Sequence, residues 1–117
     1  MKQMEEKIIQ LHAEICKCLA SPVRLKILNV LRDGDRSVDV LAKMLGVQKA
    51  NLSQHLSILR QRKIVATRKV GLNIYYSIAN QKMIKACDIL REVLFEQLQE
   101  SQKLVKSITK NKKSFKT

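Results

Sequence analysis

Leu41-Ala42-Lys43-Met44-Leu45-Gly46-Val47-Gln48-Lys49-Ala50-Asn51-Leu52-Ser53-Gln54-His55-Leu56-Ser57-Ile58-Leu59 reads as two helical patterns broken by one glycine. Ser37 is a candidate cap just upstream, and Val38, Leu41, Ala42 and Leu45 recur at the helical period. Gly46 stops that short helix and Val47 turns the corner. A second helix begins near Gln48, with Leu52, Leu56 and Leu59 as its apolar positions. Short helix, glycine-containing turn and second helix make a helix-turn-helix layout.

At about 100° per residue, Leu52, Leu56 and Leu59 fall within about 60° of one another. Ala50, Gln54, Ser57 and Gln61 lie opposite, flanked by Asn51 and Ser53. Small side chains let a backbone approach a DNA groove closely. Gln and Asn can pair with two edge atoms of adenine, and Ser can bond several base edges. Lys49 and the helix N-terminus suit phosphates. Any exposed helix face is polar, so this face alone does not decide. His55 lies toward the buried flank, where a lone His is more often a packing residue than a phosphate contact.

Charge decides. From Val40 to Cys87 the chain has no Asp or Glu, yet holds Lys43, Lys49, Arg60, Arg62, Lys63, Arg68, Lys69, Lys82 and Lys85. The net charge is +13; six of those charges are Lys in the last seventeen residues, which leaves +7 on the rest. A patterned, acid-free window points to a polyanion, double-stranded DNA above all.

Outward from this core, Met4, Ile8, Leu11 and Ile15 form one apolar stripe on a first helix ending at Leu19-Ala20. Ser21-Pro22 opens a second helix to about Arg32, with Val23, Ile27, Val30 and Leu31 inward. Downstream, the helix breaks near Lys63. Ile64 to Thr67 and Ile74 to Ile78 read as strands joined by Val70-Gly71-Leu72-Asn73. Arg68 and Lys69 sit just before this turn, where a basic wing can follow the backbone or enter a minor groove. Asn80 can cap a last long helix, to about Lys103, with Met83, Ile84, Cys87, Leu90, Val93, Leu94 and Leu98 on its apolar side.

The chain of 117 residues has room for one domain, expected over residues 1–106, with 107–117 as a basic disordered tail. Aromatics are only 3%, so the core rests on Leu, Ile and Val, and helix-mediated dimerisation would add buried area. No apolar run approaches about eighteen residues, the N-terminus lacks a signal-peptide core, and three cysteines do not make a secreted disulfide scaffold. The expected compartment is a reducing cytoplasm.

Leu19-Ala20-Ser21-Pro22-Val23-Arg24-Leu25-Lys26-Ile27-Leu28 resembles the second-helix signature of ArsR/SmtB-type winged-helix repressors. So do Leu41 to Val47 and the run Asn51-Leu52-Ser53-Gln54-His55-Leu56-Ser57-Ile58-Leu59-Arg60, while Ile64-Val65 through Tyr75-Tyr76-Ser77-Ile78 resembles the wing. The resemblance spans about residues 8 to 98. It implies a mainly α fold with a small β-hairpin wing, a winged helix-turn-helix that homodimerises through its first and last helices. It implies operator binding, usually with repression relieved by an effector. Carried over, the base-facing candidates are Gln48, Lys49, Asn51, Ser53 and Gln54. Leu72 stands where a basic residue is frequent, which implies a weaker wing tip.

Relatives sense metals through a Cys-x-Cys pair on the first helix of the helix-turn-helix, or Asp and His on the last helix. Here the first stretch is Val38-Asp39-Val40-Leu41-Ala42 and the last helix has no His, so both zinc-type sets are missing. Cys16, Cys18 and Cys87 remain as effector candidates for an oxidant, a sulfur species, a soft metal or arsenite. Plain packing is the competing reading, because free cysteines are small hydrophobes. Cys16 and Cys18 point about 200° apart on a regular helix, so both cannot face Cys87. No cofactor is required. A thiol enzyme would need a base beside a cysteine; only His12 is near, and no Gly-rich oxyanion loop accompanies it. The expectation is therefore a DNA-binding regulator and not an enzyme. The rival is a non-sequence-specific protein drawn to DNA or to anionic membranes by its Lys-rich tail.

Overall fold

A computed structural model gives the architecture and describes residues 1–108 with their side chains. The order is α1 (Lys2–Leu19), α2 (Pro22–Leu31), β1 (Arg36–Ser37), α3 (Val38–Leu45), α4 (Lys49–Gln61), β2 (Val65–Val70), β3 (Asn73–Ile78) and α5 (Gln81–Lys116). The chain resolves into two units, Met1–Gln81 and Lys82–Thr117.

In the first unit, local chemistry sets the boundaries. The Ser21 hydroxyl accepts from the Arg24 amide at 3.4 Å, with Pro22 in the first turn of α2. The Ser37 hydroxyl accepts from the Val40 amide at 3.3 Å, capping α3. Gly46 ends α3 at φ 65°, ψ 33°, the left-handed conformation that glycine adopts without a Cβ penalty. Space is open around it, so the backbone angle alone accounts for a glycine there.

The core collects one face from each helix. Ile27, Leu28 and Leu31 of α2, Leu41 of α3, and Leu52, Leu56 and Leu59 of α4 are buried, with Ile64 and Val65 below them. The three leucines of α4 are wholly inaccessible, so the predicted inward face is the observed one. Each such Leu contributes roughly 1.5–3 kcal/mol by leaving water. On α2, Leu28 is buried while Val23 and Val30 are only partly so, which rotates that helix's inward face from the expected one.

The sheet has a strand that the sequence did not announce. β3 pairs antiparallel with β2, Val65 opposite Ile78 through Val70 opposite Asn73. β1 adds to the other edge of β3, with Arg36 opposite Tyr76 and Ser37 opposite Tyr75. The strand order is β1-β3-β2. Two residues are too few for a period-2 pattern, and β1 is held by the sheet, not by its own propensity. The hairpin closes on Gly71 and Leu72, with Gly71 at φ 62°. A positive φ at the first central residue suits the right-handed twist of the strands.

Several apolar side chains face outward. On α1, Met4, Ile8 and Leu11 of the expected stripe are exposed and Ile15 is half-buried. In the second unit, Ile84 is buried, and Leu90, Val93, Leu94, Phe95 and Leu98 are exposed along α5. That helix, Gln81–Lys116, runs into the segment expected as a disordered tail, 107–117; the side chains of 109–116 and the whole of Thr117 lie outside the described residues. Among the described residues no helix is long and apolar enough to cross a membrane.

Candidate nucleic-acid interface

α4 turns one face to the core and the other to solvent because its leucines recur at four and three. Gln48, Lys49, Ala50, Asn51, Ser53, Gln54 and Ser57 are all exposed. Gln48 occupies the N-cap and its side chain makes no capping bond. The first-turn amides of α4 and these exposed polar heads therefore share one end of the helix. At its far end α4 stops on Lys63, at φ 59°, with the Lys63 amide donating to the Arg60 carbonyl and the Ile64 amide to the Leu59 carbonyl. Arg62 then meets Glu14 of α1 at 2.7 Å, tying the two helices together.

His55 takes a different place from the other candidates. It is half-buried, and its Nδ1 accepts from Arg24 Nε at 3.1 Å. Arg24 Nη1 donates to the Cys18 carbonyl at 3.0 Å. One guanidinium thus ties the end of α1 to the middle of α4. An imidazole accepting at Nδ1 carries its proton at Nε2. Arg24 was not among the sequence candidates; nothing in its spacing marks it, since its partner lies 31 residues away.

On the wing, Arg68 and Lys69 are exposed, as is Leu72 at the tip, 97% accessible. Arg68 lies over the ring of Tyr75, 5.1 Å from its centroid, and the two are directly opposite in the register. The two-residue turn fixes that pairing, so Tyr75 was within reach of sequence reasoning and was missed. The wing tip, the start of α3 and Lys49 border a single cleft of about 220 Å³. The helix-turn-helix and the wing therefore present one continuous surface.

The window that is free of acid along the chain is not free of acid in space. Asp39 Oδ1 lies 2.8 Å from Lys49 Nζ, and Asp35 Oδ2 accepts from Arg68 Nε at 2.9 Å. Both acids come from just upstream of Val40. Asp39 reaches Lys49 because the tight turn at Gly46 brings the two helix starts together; Asp35 reaches Arg68 because β1 docks beside β3. Lys49 holds the Asp39 carboxyl below the usual carboxylate range, by its hydrogen bond first and its charge second. These acids sit at the rim and leave Gln48, Asn51, Ser53 and Gln54 exposed.

Cys16 and Cys18 lie on the regular helix α1, and Cys87 on α5. Cys16 is exposed, Cys18 buried and Cys87 half-buried. Among the described residues no three or more His, Cys, Asp and Glu side chains assemble as a metal-binding group.

This geometry has clear likenesses. Residues 21–67 match the model of the bacterial regulatory proteins of the arsR family. Rv0081 of Mycobacterium tuberculosis, described as an uncharacterized HTH-type transcriptional regulator, is 40% identical over 90 residues, 76% of this chain and 79% of that protein. This chain belongs to the ArsR family. The crystal structure of Rv0081 superposes with a TM-score of 0.74 at 38% identity, covering 80% of this chain and 94% of that one. A second relative, the transcriptional repressor SmtB homologue of Synechocystis, is 33% identical over 106 residues, 86% of this chain and 77% of its own. The homodimeric winged helix-turn-helix DNA-binding domain of Mb0332 from Mycobacterium bovis gives a TM-score of 0.75 at 29% identity, covering 80% of this chain and 87% of that one. In this ArsR-family chain the matched segment runs from the Ser21 cap into β2, so it includes the whole helix-turn-helix.

Proposed function

We propose that this protein is a homodimeric, sequence-specific DNA-binding repressor. The observation that carries the reading is α4: Gln48, Lys49, Asn51, Ser53 and Gln54 stand exposed above a wholly buried row of leucines. In this reading Asn51, Ser53 and Gln54 meet base edges in the major groove, with Gln48 beside them. Lys49, Arg68 and Lys69 meet phosphates, and His55 offers its Nε2 proton at the flank. In this reading the basic wing follows the backbone or enters a minor groove beside the helix.

The apolar faces left exposed on α1 and α5 supply the second half of the proposal. Met4, Ile8 and Leu11, with Leu90, Val93, Leu94 and Leu98, are more apolar surface than a small chain keeps in water. Two copies joined there would set two recognition helices roughly 34 Å apart on a pseudo-palindromic site in the cytoplasm. The homodimeric Mb0332 domain and the SmtB homologue's description as a repressor support this assignment. No catalytic step is part of it.

Relief by a thiol-directed agent falls to Cys16 first, because it is the exposed cysteine, with Cys18 and Cys87 behind it. Selection of bound sequences from random duplex DNA, with and without reductant, tests the whole proposal. Enrichment of a two-fold-related motif is expected, and loss of enrichment without reductant would place control at the thiols. No enrichment under either condition would remove sequence-specific binding. Unchanged affinity after alkylation of all three cysteines would remove thiol control.

A further inference from the structure

We propose that Asp35 and Asp39 act as built-in competitors for DNA phosphate, holding Arg68 and Lys49 so that duplex of arbitrary sequence is bound less tightly. The inference rests on the duplex-binding reading above and adds a restraint to it. Two candidate phosphate contacts, on separate elements, each carry a carboxylate at 2.8 or 2.9 Å. Each cation is well exposed, Lys49 at 64% and Arg68 at 58%, so solvent and phosphate reach both. A phosphate that approaches either cation must displace the carboxylate or sit beside it. Displacement loses a charge-assisted bond, and sharing adds repulsion between two anions a few ångströms apart. Arg68 also lies over the ring of Tyr75, 5.1 Å from its centroid, a contact that favours the conformation in which it meets Asp35.

The consequence is specific to phosphate-only binding. With a net charge of +13 the chain has ample attraction for any duplex. Asp35 and Asp39 lower that attraction at two candidate phosphate contacts, one on the wing and one at the start of α4, and leave Gln48, Asn51, Ser53 and Gln54 exposed.

The test is a double-mutant cycle on the full chain, reading affinity for a random-sequence duplex across a salt series. Asp39→Asn is combined with Lys49→Met, and Asp35→Asn with Arg68→Met. Each Asp→Asn change alone is expected to tighten binding by roughly three- to tenfold, the size of one screened charge contact. Each is expected to steepen the log–log salt slope by up to about 0.9, one more phosphate neutralised. Neither gain should survive when its partner cation is Met. An equal gain in the Met background would show a general net-charge effect and overturn the proposal. Unchanged or weaker binding by the Asp→Asn variants would overturn it too, and would mean that the carboxylates orient the cations for phosphate. Failure of the unmodified protein to hold any duplex at low salt would remove the DNA reading itself, a different result from either.

Discussion

Lys63 ends α4 in the left-handed region at φ 59°, a conformation that costs a side chain with a Cβ about 1–2 kcal/mol and glycine almost nothing. The two reversed backbone bonds at Arg60 and Leu59, with Leu59 and Ile64 both buried, hold it there. Lys63→Gly is therefore expected to stabilise the fold by up to about 1 kcal/mol, read as a rise in denaturant midpoint at unchanged slope. A fall would mean that the lysine side chain contributes more than its backbone strain costs. Asp39 carries a second expectation. Its folded carboxyl titrates below the ordinary value of about 3.9, so its ion pair is fully present above that pH and is lost as pH falls through the lower folded value. The difference in thermal midpoint between Asp39→Asn and the unmodified protein should be flat from about pH 8 to pH 5 and should shrink only below about pH 4. A change inside the flat window would assign the titration to another group.

At the scale of elements, α4 and the wing divide the labour. Gln54 is an exposed amide opposite buried leucines, and Lys69 is an exposed cation on a strand. Gln54→Ala is expected to erode preference for the selected sequence by about 1–3 kcal/mol while leaving random duplex nearly unchanged. Lys69→Ala is expected to weaken both alike and to lower the salt slope by about 1. Competition binding against selected and random duplex checks both, and identical behaviour would dissolve the distinction. These elements were legible because each carries its own period and its own punctuation: Ser21-Pro22, Ser37, Gly46 and Gly71. β1 was not, since Arg36-Ser37 becomes a strand only when β3 offers it an edge. The exposure of Gln54, with Asn51 and Ser53 on its flanks, followed from counting residues around a wheel, while Gln48 came in through the family resemblance and Lys49 through its charge at the helix start. The half-burial of His55 was half legible: the wheel put it on the flank, and only Arg24 explains why it stays there.

For the whole molecule, the exposed faces of α1 and α5 and the net charge set the expectations. Leu94→Asp, which places a charge beside Arg91, Phe95 and Leu98, is expected to shift the chain from dimer to monomer in sedimentation equilibrium and to reduce operator affinity by at least tenfold. A dimer of unchanged strength would move the interface elsewhere. Affinity should fall by about a thousandfold or more between 50 and 200 mM salt if six or more phosphates are contacted. A flat salt response would contradict the charge reading at its root.

The order of helices, the helix-turn-helix, the hairpin and the identity of the outward face of α4 were determined by the sequence alone, because near-neighbour periodicity and caps are local properties. Which charges meet was decided only by the tertiary structure. Asp35 and Asp39 precede the acid-free window in the chain, yet a three-residue turn and one edge strand return them to its cations. Charge along a chain is a list, but electrostatic energy depends on distance in space, and distance is set by the fold.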